Sequence, residues 1–168
     1  AEVPFLRKDF ADDNSPVSEA TCSALKQAEE FWEMDFDYVA QLMPNCPLRN
    51  HKDIIKAMDT FLYKKRDLQI SCFKFGWMNP WWSFQLDIKK RGKALFPNQL
   101  KKRSQDLKSL YCPTGAIWIA KCEKLIQSKT FYGHNFCFEE LNWINAIDID
   151  DKEDLKFAQI SKKFRDKI

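Results

Sequence analysis

Two carboxylates near the end of the chain, Asp148 and Asp150, have the types and spacing to do chemistry. They lie in Ala146-Ile147-Asp148-Ile149-Asp150-Asp151, where apolar residues run into an acidic turn and an amphipathic stretch follows. If Ile147 to Asp150 ends a strand, side chains alternate between faces and the two aspartates project on the same side. Two hard oxygen ligands beside solvent suit Mg²⁺, which takes one or two carboxylates and fills its octahedron with water and phosphate. That points to phosphate chemistry. The same residues also read as a helix cap, since Asp150 or Asp151 stands just ahead of a helical pattern and Asp is a preferred N-cap.

The other ligand and nucleophile types carry less. The six cysteines, Cys22, Cys46, Cys72, Cys112, Cys122 and Cys137, form no C-x-x-C pair and mostly sit inside apolar segments. With only His51 and His134 to join them, a zinc site lacks its short spacings. Buried free thiols in a reducing cytoplasm are the expectation.

The elements that must position the aspartates alternate between strand and helix. Ser15-Pro16 reads as a helix start, followed by Val17, Ala20, Ala24, Ala28 and Phe31 at helical spacing. Asp37 to Met43 is a short apolar run of the buried-strand kind, broken at Pro44-Asn45-Cys46-Pro47-Leu48-Arg49. Asn50 caps the next helix, with Ile54, Met58, Phe61 and Leu62 on one face, and Leu68 to Phe75 returns as strand. Gly115 to Ala120 is a strand, Lys121 to Ser128 a short helix, Phe136 to Leu141 extended and Ile144 to Asp150 the last strand. A final helix is expected to bury Phe157, Ile160 and Phe164. The fold class is α/β, an open, mostly parallel sheet with flanking helices, in one domain spanning residues 1–168.

Residues 76–110 interrupt that pattern. Trp77, Trp81 and Trp82 fall within a few residues, and 89–103 carries seven basic side chains and no acidic one. Aromatic segments with a basic margin suit an interface. A solvated charge run beside ordinary core aromatics would look similar. Without a stacking motif or an overall basic excess (the net charge is +3), nucleic acid is not an expected partner. No apolar run approaches the ~20 residues of a membrane span.

Four blocks, in order, carry a family resemblance. The first is Phe5-Leu6-Arg7 with Ala11-Asp12-Asp13, and the second Leu42-Met43-Pro44-Asn45-Cys46-Pro47-Leu48-Arg49. The third is Arg103-Ser104-Gln105-Asp106-Leu107 with Tyr111-Cys112-Pro113-Thr114-Gly115-Ala116-Ile117-Trp118-Ile119. The fourth runs from Glu140-Leu141 and Trp143 into Asp148-Ile149-Asp150 and Asp154-Leu155. Together they resemble the cytidylyltransferases that activate nonulosonic acids (sialic, pseudaminic and legionaminic acids) as CMP-sugars. The family's glycine-rich, basic phosphate loop has no counterpart, so the chain reads as N-terminally incomplete and the fragment as a poor catalyst. In the second block Met43, Asn45 and Cys46 stand where the family carries Gln, Thr and Ser, and Met43 lacks the hydrogen bonds of an amide.

The resemblance implies a nucleotide-diphospho-sugar transferase-like sheet and transfer of CMP from CTP to a nonulosonic acid, with Mg²⁺ and release of pyrophosphate. It implies that Asp148 and Asp150 hold the metal, and that Arg7 lies near the nucleotide. Asn45 belongs to the substrate loop, while Trp118, Phe131 and Tyr132 flank the acceptor sugar. It further implies a cytoplasmic homodimer in which 76–110 makes the contact and Arg103 and Gln105 reach the neighbouring site. Two rivals share these features: a glycosyltransferase whose D-x-D holds a metal-bound nucleotide sugar, and a non-catalytic dimerisation fragment of the same fold.

Overall fold

The computed structural model describes residues 2–3, 5–12 and 14–165. Asp13, which belongs to the first resembling block, lies outside the described residues. Helix α1 (Val17–Trp32) leads into β1 (Tyr38–Gln41), then α2 (His51–Tyr63) and β2 (Leu68–Lys74). A two-stranded ribbon of β3 (Phe84–Leu86) and β4 (Gly92–Ala94) follows. The chain then forms the long β5 (Tyr111–Lys121), α3 (Cys122–Ser128), β6 (Cys137–Glu140) and α4 (Lys152–Arg165).

The main sheet has the order β1-β5-β2-β6. Its two central strands are those with unbroken buried runs, Leu68–Cys72 and Thr114–Ala120, because each is covered on both faces. On one face Phe61 and Ala57 of α2 pack on Ile117 and Ile119. On the other, Trp118 and Ala120 meet Leu125 and Phe131, with Val17 and Cys22 of α1 against them.

The mostly parallel sheet expected from the sequence is corrected to a mixed one. β2 pairs β6 in parallel, but β5 runs antiparallel to both β1 and β2. The cause is the connection. No α-helix lies between β2 and β5 to carry the chain back across the sheet, and Lys74 faces Tyr111 where the intervening segment leaves and returns. A connection with both ends at one end of the sheet joins antiparallel neighbours.

Where β2 meets β5 the register slips between Ile70 and Cys72. Ser71 bridges the irregularity. Its hydroxyl donates to the Thr114 carbonyl at 2.9 Å and accepts the Ile117 amide at 2.9 Å, replacing ladder bonds that the bulge removes. Glycine suits the close approach nearby, because a Cβ on Gly115 would fall 2.2 Å from Met43 Sδ and force that side chain to move.

Two further expectations change. Ile144 to Asp150 is not a strand: the Asn142 side chain takes the Ile144 amide, and its carbonyl takes those of Asn145 and Ala146, coiling the chain into a turn. α4 does not bury Phe157, Ile160 and Phe164, which stay about half-exposed or more. It turns inward its narrow stripe of Ala158 and Ser161, while Arg165 donates to the Leu48 carbonyl at 2.7 Å. Phe157 stacks on Trp143 instead.

From Phe73 to Pro113 no residue is fully buried. Trp81 and Trp82 fold back on this segment, donating from their indoles to the Lys108 and Gln99 carbonyls at 2.8 and 3.3 Å. Trp77, 85% exposed, and Ile88, wholly exposed, do not. Among the described residues no helix is long and apolar enough to cross a membrane.

Candidate active site

The site is assembled by the loop between β1 and α2. Arg49 Nη1 donates to the Met43 carbonyl and, at 3.0 Å, to that of Cys46, closing the loop on itself. Asn50 then starts α2 with a capping box, its side chain accepting the Lys52 and Asp53 amides while Asp53 accepts the Asn50 amide. The loop is bound to its surroundings at Met43 and Asn45. Met43 N–H donates to the Gly115 carbonyl at 3.1 Å, and Ile149 N–H donates to the Asn45 carbonyl at 2.9 Å.

This docking brings Cys46 against Asp148, 102 residues away in sequence. The buried thiol donates to Asp148 Oδ1 at 3.6 Å and lies 3.8 Å from Thr114 Oγ1, whose hydroxyl donates to the Ala146 carbonyl at 3.0 Å. Burial, with the charge of Asp148 added, pushes the Cys46 thiol up to about 11, so it stays protonated and able to donate. Asp148 is half-buried and Asp150 exposed. Burial raises the Asp148 carboxyl above the ordinary value, and the neighbouring charge of Asp150 raises it further, against the Cys46 hydrogen bond.

The capping alternative falls on Asp151. Its Oδ1 accepts the Glu153 and Asp154 amides at 2.7 and 2.9 Å, and Asp154 accepts those of Asp150 and Asp151 in return. Asp148 and Asp150 are left free of that duty.

Neither aspartate joins an ion pair among the described residues. Two anionic oxygen donors that repel each other suit a divalent cation. Among the described residues no three His, Cys, Asp or Glu side chains gather as a metal cage. A cation here would complete its shell with water and phosphate, which is the habit of Mg²⁺ rather than of zinc.

The remaining sequence-predicted residues divide between those tied to this centre through Thr114 and those on other surfaces of the fold. Trp118 is almost buried, its indole donating to the Thr114 carbonyl at 2.7 Å, with Phe131 and Tyr132 edge-on at 5.2 and 5.7 Å. Phe131 is wholly buried and packs behind Trp118, whereas Tyr132 is half-exposed and presents its ring to solvent. Arg7 is exposed at a cavity of about 430 Å³ between α1 and β1, lined also by Thr21 and Gln41. Arg103 and Gln105 sit on an exposed turn of the 76–110 segment, Arg103 paired with Asp106 at 2.8 Å. Cys46, Thr114 and Arg49 went unassigned in the sequence. Their signal was position, since all three lie in the resembling blocks that converge here. All six cysteines are free, with Cys46, Cys72 and Cys122 buried.

No family model matches the chain. Among curated proteins it is similar to post-translational flagellin modification protein B of Campylobacter coli, 28% identical over 165 residues that cover 94% of this chain and 67% of that protein. It is similar to pseudaminic acid cytidylyltransferase of Campylobacter jejuni, 25% identical over 170 residues, with 97% and 70% covered. CMP-N,N'-diacetyllegionaminic acid synthase of Legionella pneumophila is 30% identical over 161 residues, with 89% and 64% covered. The chain thus spans about two thirds of the length of these relatives. The relatives named as a cytidylyltransferase or a CMP-sugar synthase are of the nonulosonic acid cytidylyltransferase family, to which this chain is similar at modest identity over most of its length.

Proposed function

We propose that this chain carries the metal and acceptor side of an enzyme that transfers CMP from CTP to a nonulosonic acid of the pseudaminic or legionaminic type. The anomeric hydroxyl of the sugar attacks the α-phosphorus, forming the new P–O bond as the bond to the β-phosphate breaks. Pyrophosphate leaves and the hydroxyl proton is released.

The observation that carries this reading is the meeting of three separate segments at one point. The 43–49 loop, the Thr114-Gly115 bulge and the Asp148 turn are joined by Cys46, Asn45 and Thr114. Asp148 and Asp150 would hold Mg²⁺, which supplies neutralisation of charge on the phosphate oxygens. Tyr132, backed by the almost buried Trp118, would offer an aromatic face to the acceptor, and Asn45 a polar group from the substrate loop. Arg7 stands on the nucleotide side. Arg103, whose planar guanidinium suits a carboxylate, extends toward the site of a second copy through a contact made by 76–110.

The test is release of pyrophosphate from CTP by this chain with a pseudaminic- or legionaminic-type acid, beside Mg²⁺-dependent binding of CTP against UDP-sugars. CTP should be preferred in the binding arm even if turnover is slow. Asp148→Asn and Asp150→Asn should each lower turnover about a hundredfold or more, since several kcal/mol of charge stabilisation are lost. Preference for a UDP-sugar, or full Mg²⁺-dependent activity in both variants, would overturn the assignment.

A further inference from the structure

We propose that Cys46 is a positioning residue for Asp148: its thiol proton fixes Oδ1, so that the carboxylate meets a divalent cation in an orientation already chosen. The proposal rests on the metal role given to Asp148 above.

A count of protons supports it. Three polar groups meet in this buried corner, the Cys46 thiol, the Thr114 hydroxyl and the Asp148 carboxylate. The Thr114 proton goes to the Ala146 carbonyl at 3.0 Å, the better acceptor at the shorter distance. An ionised carboxylate has none to give. The 3.6 Å contact between Sγ and Oδ1 therefore has a single possible donor, the thiol of a residue with no solvent exposure.

The thiol is itself held in place. Arg49 ties the carbonyl of Cys46 back into the loop, and Asn45 accepts the amide of Ile149, the residue after Asp148. Thr114 secures the backbone at Ala146, two residues before Asp148, while Cys46 secures the side chain. Two groups more than sixty positions apart in sequence thus fix one aspartate. Groups that orient metal ligands in this way commonly change metal affinity by ~10–100-fold when removed. A thiol is a weak donor, which places Cys46 at the lower end.

The experiment uses the 168-residue chain with Cys46→Ser, which retains a single donor, and Cys46→Val, which retains bulk without one. Cys46→Ala is the second donor-less variant should valine not be accommodated. Mn²⁺ titration followed by the electron paramagnetic resonance of the free ion measures affinity. The ¹³C resonance of the Asp148 carboxyl, at one fixed pH, reports its orientation without any metal. Cys46→Ser should keep the carboxyl resonance and bind Mn²⁺ within about threefold of the parent, while Cys46→Val shifts the resonance and binds about tenfold more weakly. An unchanged resonance in the donor-less variants overturns the proposal. So does an equal loss of affinity in serine and valine variants that tracks their loss of thermal stability, since that marks a packing role alone. If the resonance responds as expected but neither parent nor variant binds Mn²⁺, the positioning stands and the metal role of Asp148 fails.

Discussion

Burial and the charge of Asp150 together hold the Asp148 carboxyl above its ordinary value of 3.8, so the native state binds that proton more tightly than the unfolded chain. Stability therefore falls as pH rises from the unfolded value through the raised native one, and at neutral pH an ionised Asp148 works against the fold. Asp148→Asn removes the charge yet keeps an oxygen to accept from Cys46. Its melting temperature should exceed that of the parent at pH 7 by about 1–3 °C, a modest gain because the group is partly in water. The gain should vanish near pH 3, where the parent is protonated in both states. Scanning calorimetry at the two pH values checks this, and a gain of the same size at both would remove ionisation as its cause.

At the scale of elements, the β1–α2 loop depends on the bulge of β5. Met43 lies across Gly115 closely enough that a methyl group there would meet the Met43 Cγ and Cβ as well as its sulfur. The far end of a methionine can swing away, but its Cβ moves only with the backbone. Gly115→Ala should destabilise the chain by about 1–3 kcal/mol. Met43→Ala in the same chain should recover part of that loss, because it removes the sulfur and Cγ that the new methyl group meets while leaving the Cβ. Denaturant unfolding of the four-member cycle measures the coupling. Strict additivity would show that the two do not touch. The same loop shows why its motif was legible when its purpose was not. The residues Pro44 to Arg49 announce a break in the chain, and Asn50 announces a helix start that the capping box bears out. That the loop folds back on Asp148 requires hydrogen bonds spanning some hundred residues, which no local pattern encodes.

For the whole molecule, the segment from 76 to 110 is the long stretch with no fully buried residue. Its tryptophans divide: Trp81 and Trp82 find indole partners within it, and Trp81 packs edge-on against Phe96 at 5.0 Å. Trp77, Leu86 and Ile88 remain in water. Exposed apolar side chains mark an interaction surface when a partner gathers them at one contact, and a two-fold pair could do so with its own copy. Trp77→Ser with Ile88→Ser should convert a sedimenting dimer to monomer at tens of micromolar without lowering the melting temperature of the monomer, since neither side chain holds the ribbon. A monomeric parent at that concentration would take the homodimer away.

The sequence alone determined what depends on neighbours along the chain. The strands β1, β2, β5 and β6 and the helices α1 to α3 follow from runs and periods only a few residues long. So does the Asn50 cap, and the family resemblance follows from blocks that stay contiguous. Tertiary structure decided whatever depends on which strand lies beside which. The sheet became mixed because a helix-free segment returned β5 next to β2, a matter of where two chain ends meet. The Asp148 segment turned rather than extending, because Asn142 took its amides and the Asn45 carbonyl took that of Ile149. α4 buried Ala158 and Ser161 in place of its aromatic residues, since close approach to the loop favoured the narrow stripe over the bulky one. Cys46, one of six similar thiols in the sequence, became the partner of Asp148 only when the loop closed. A hydrogen bond between residues 46 and 148 has no local signature, because its geometry is set by every element folded between them.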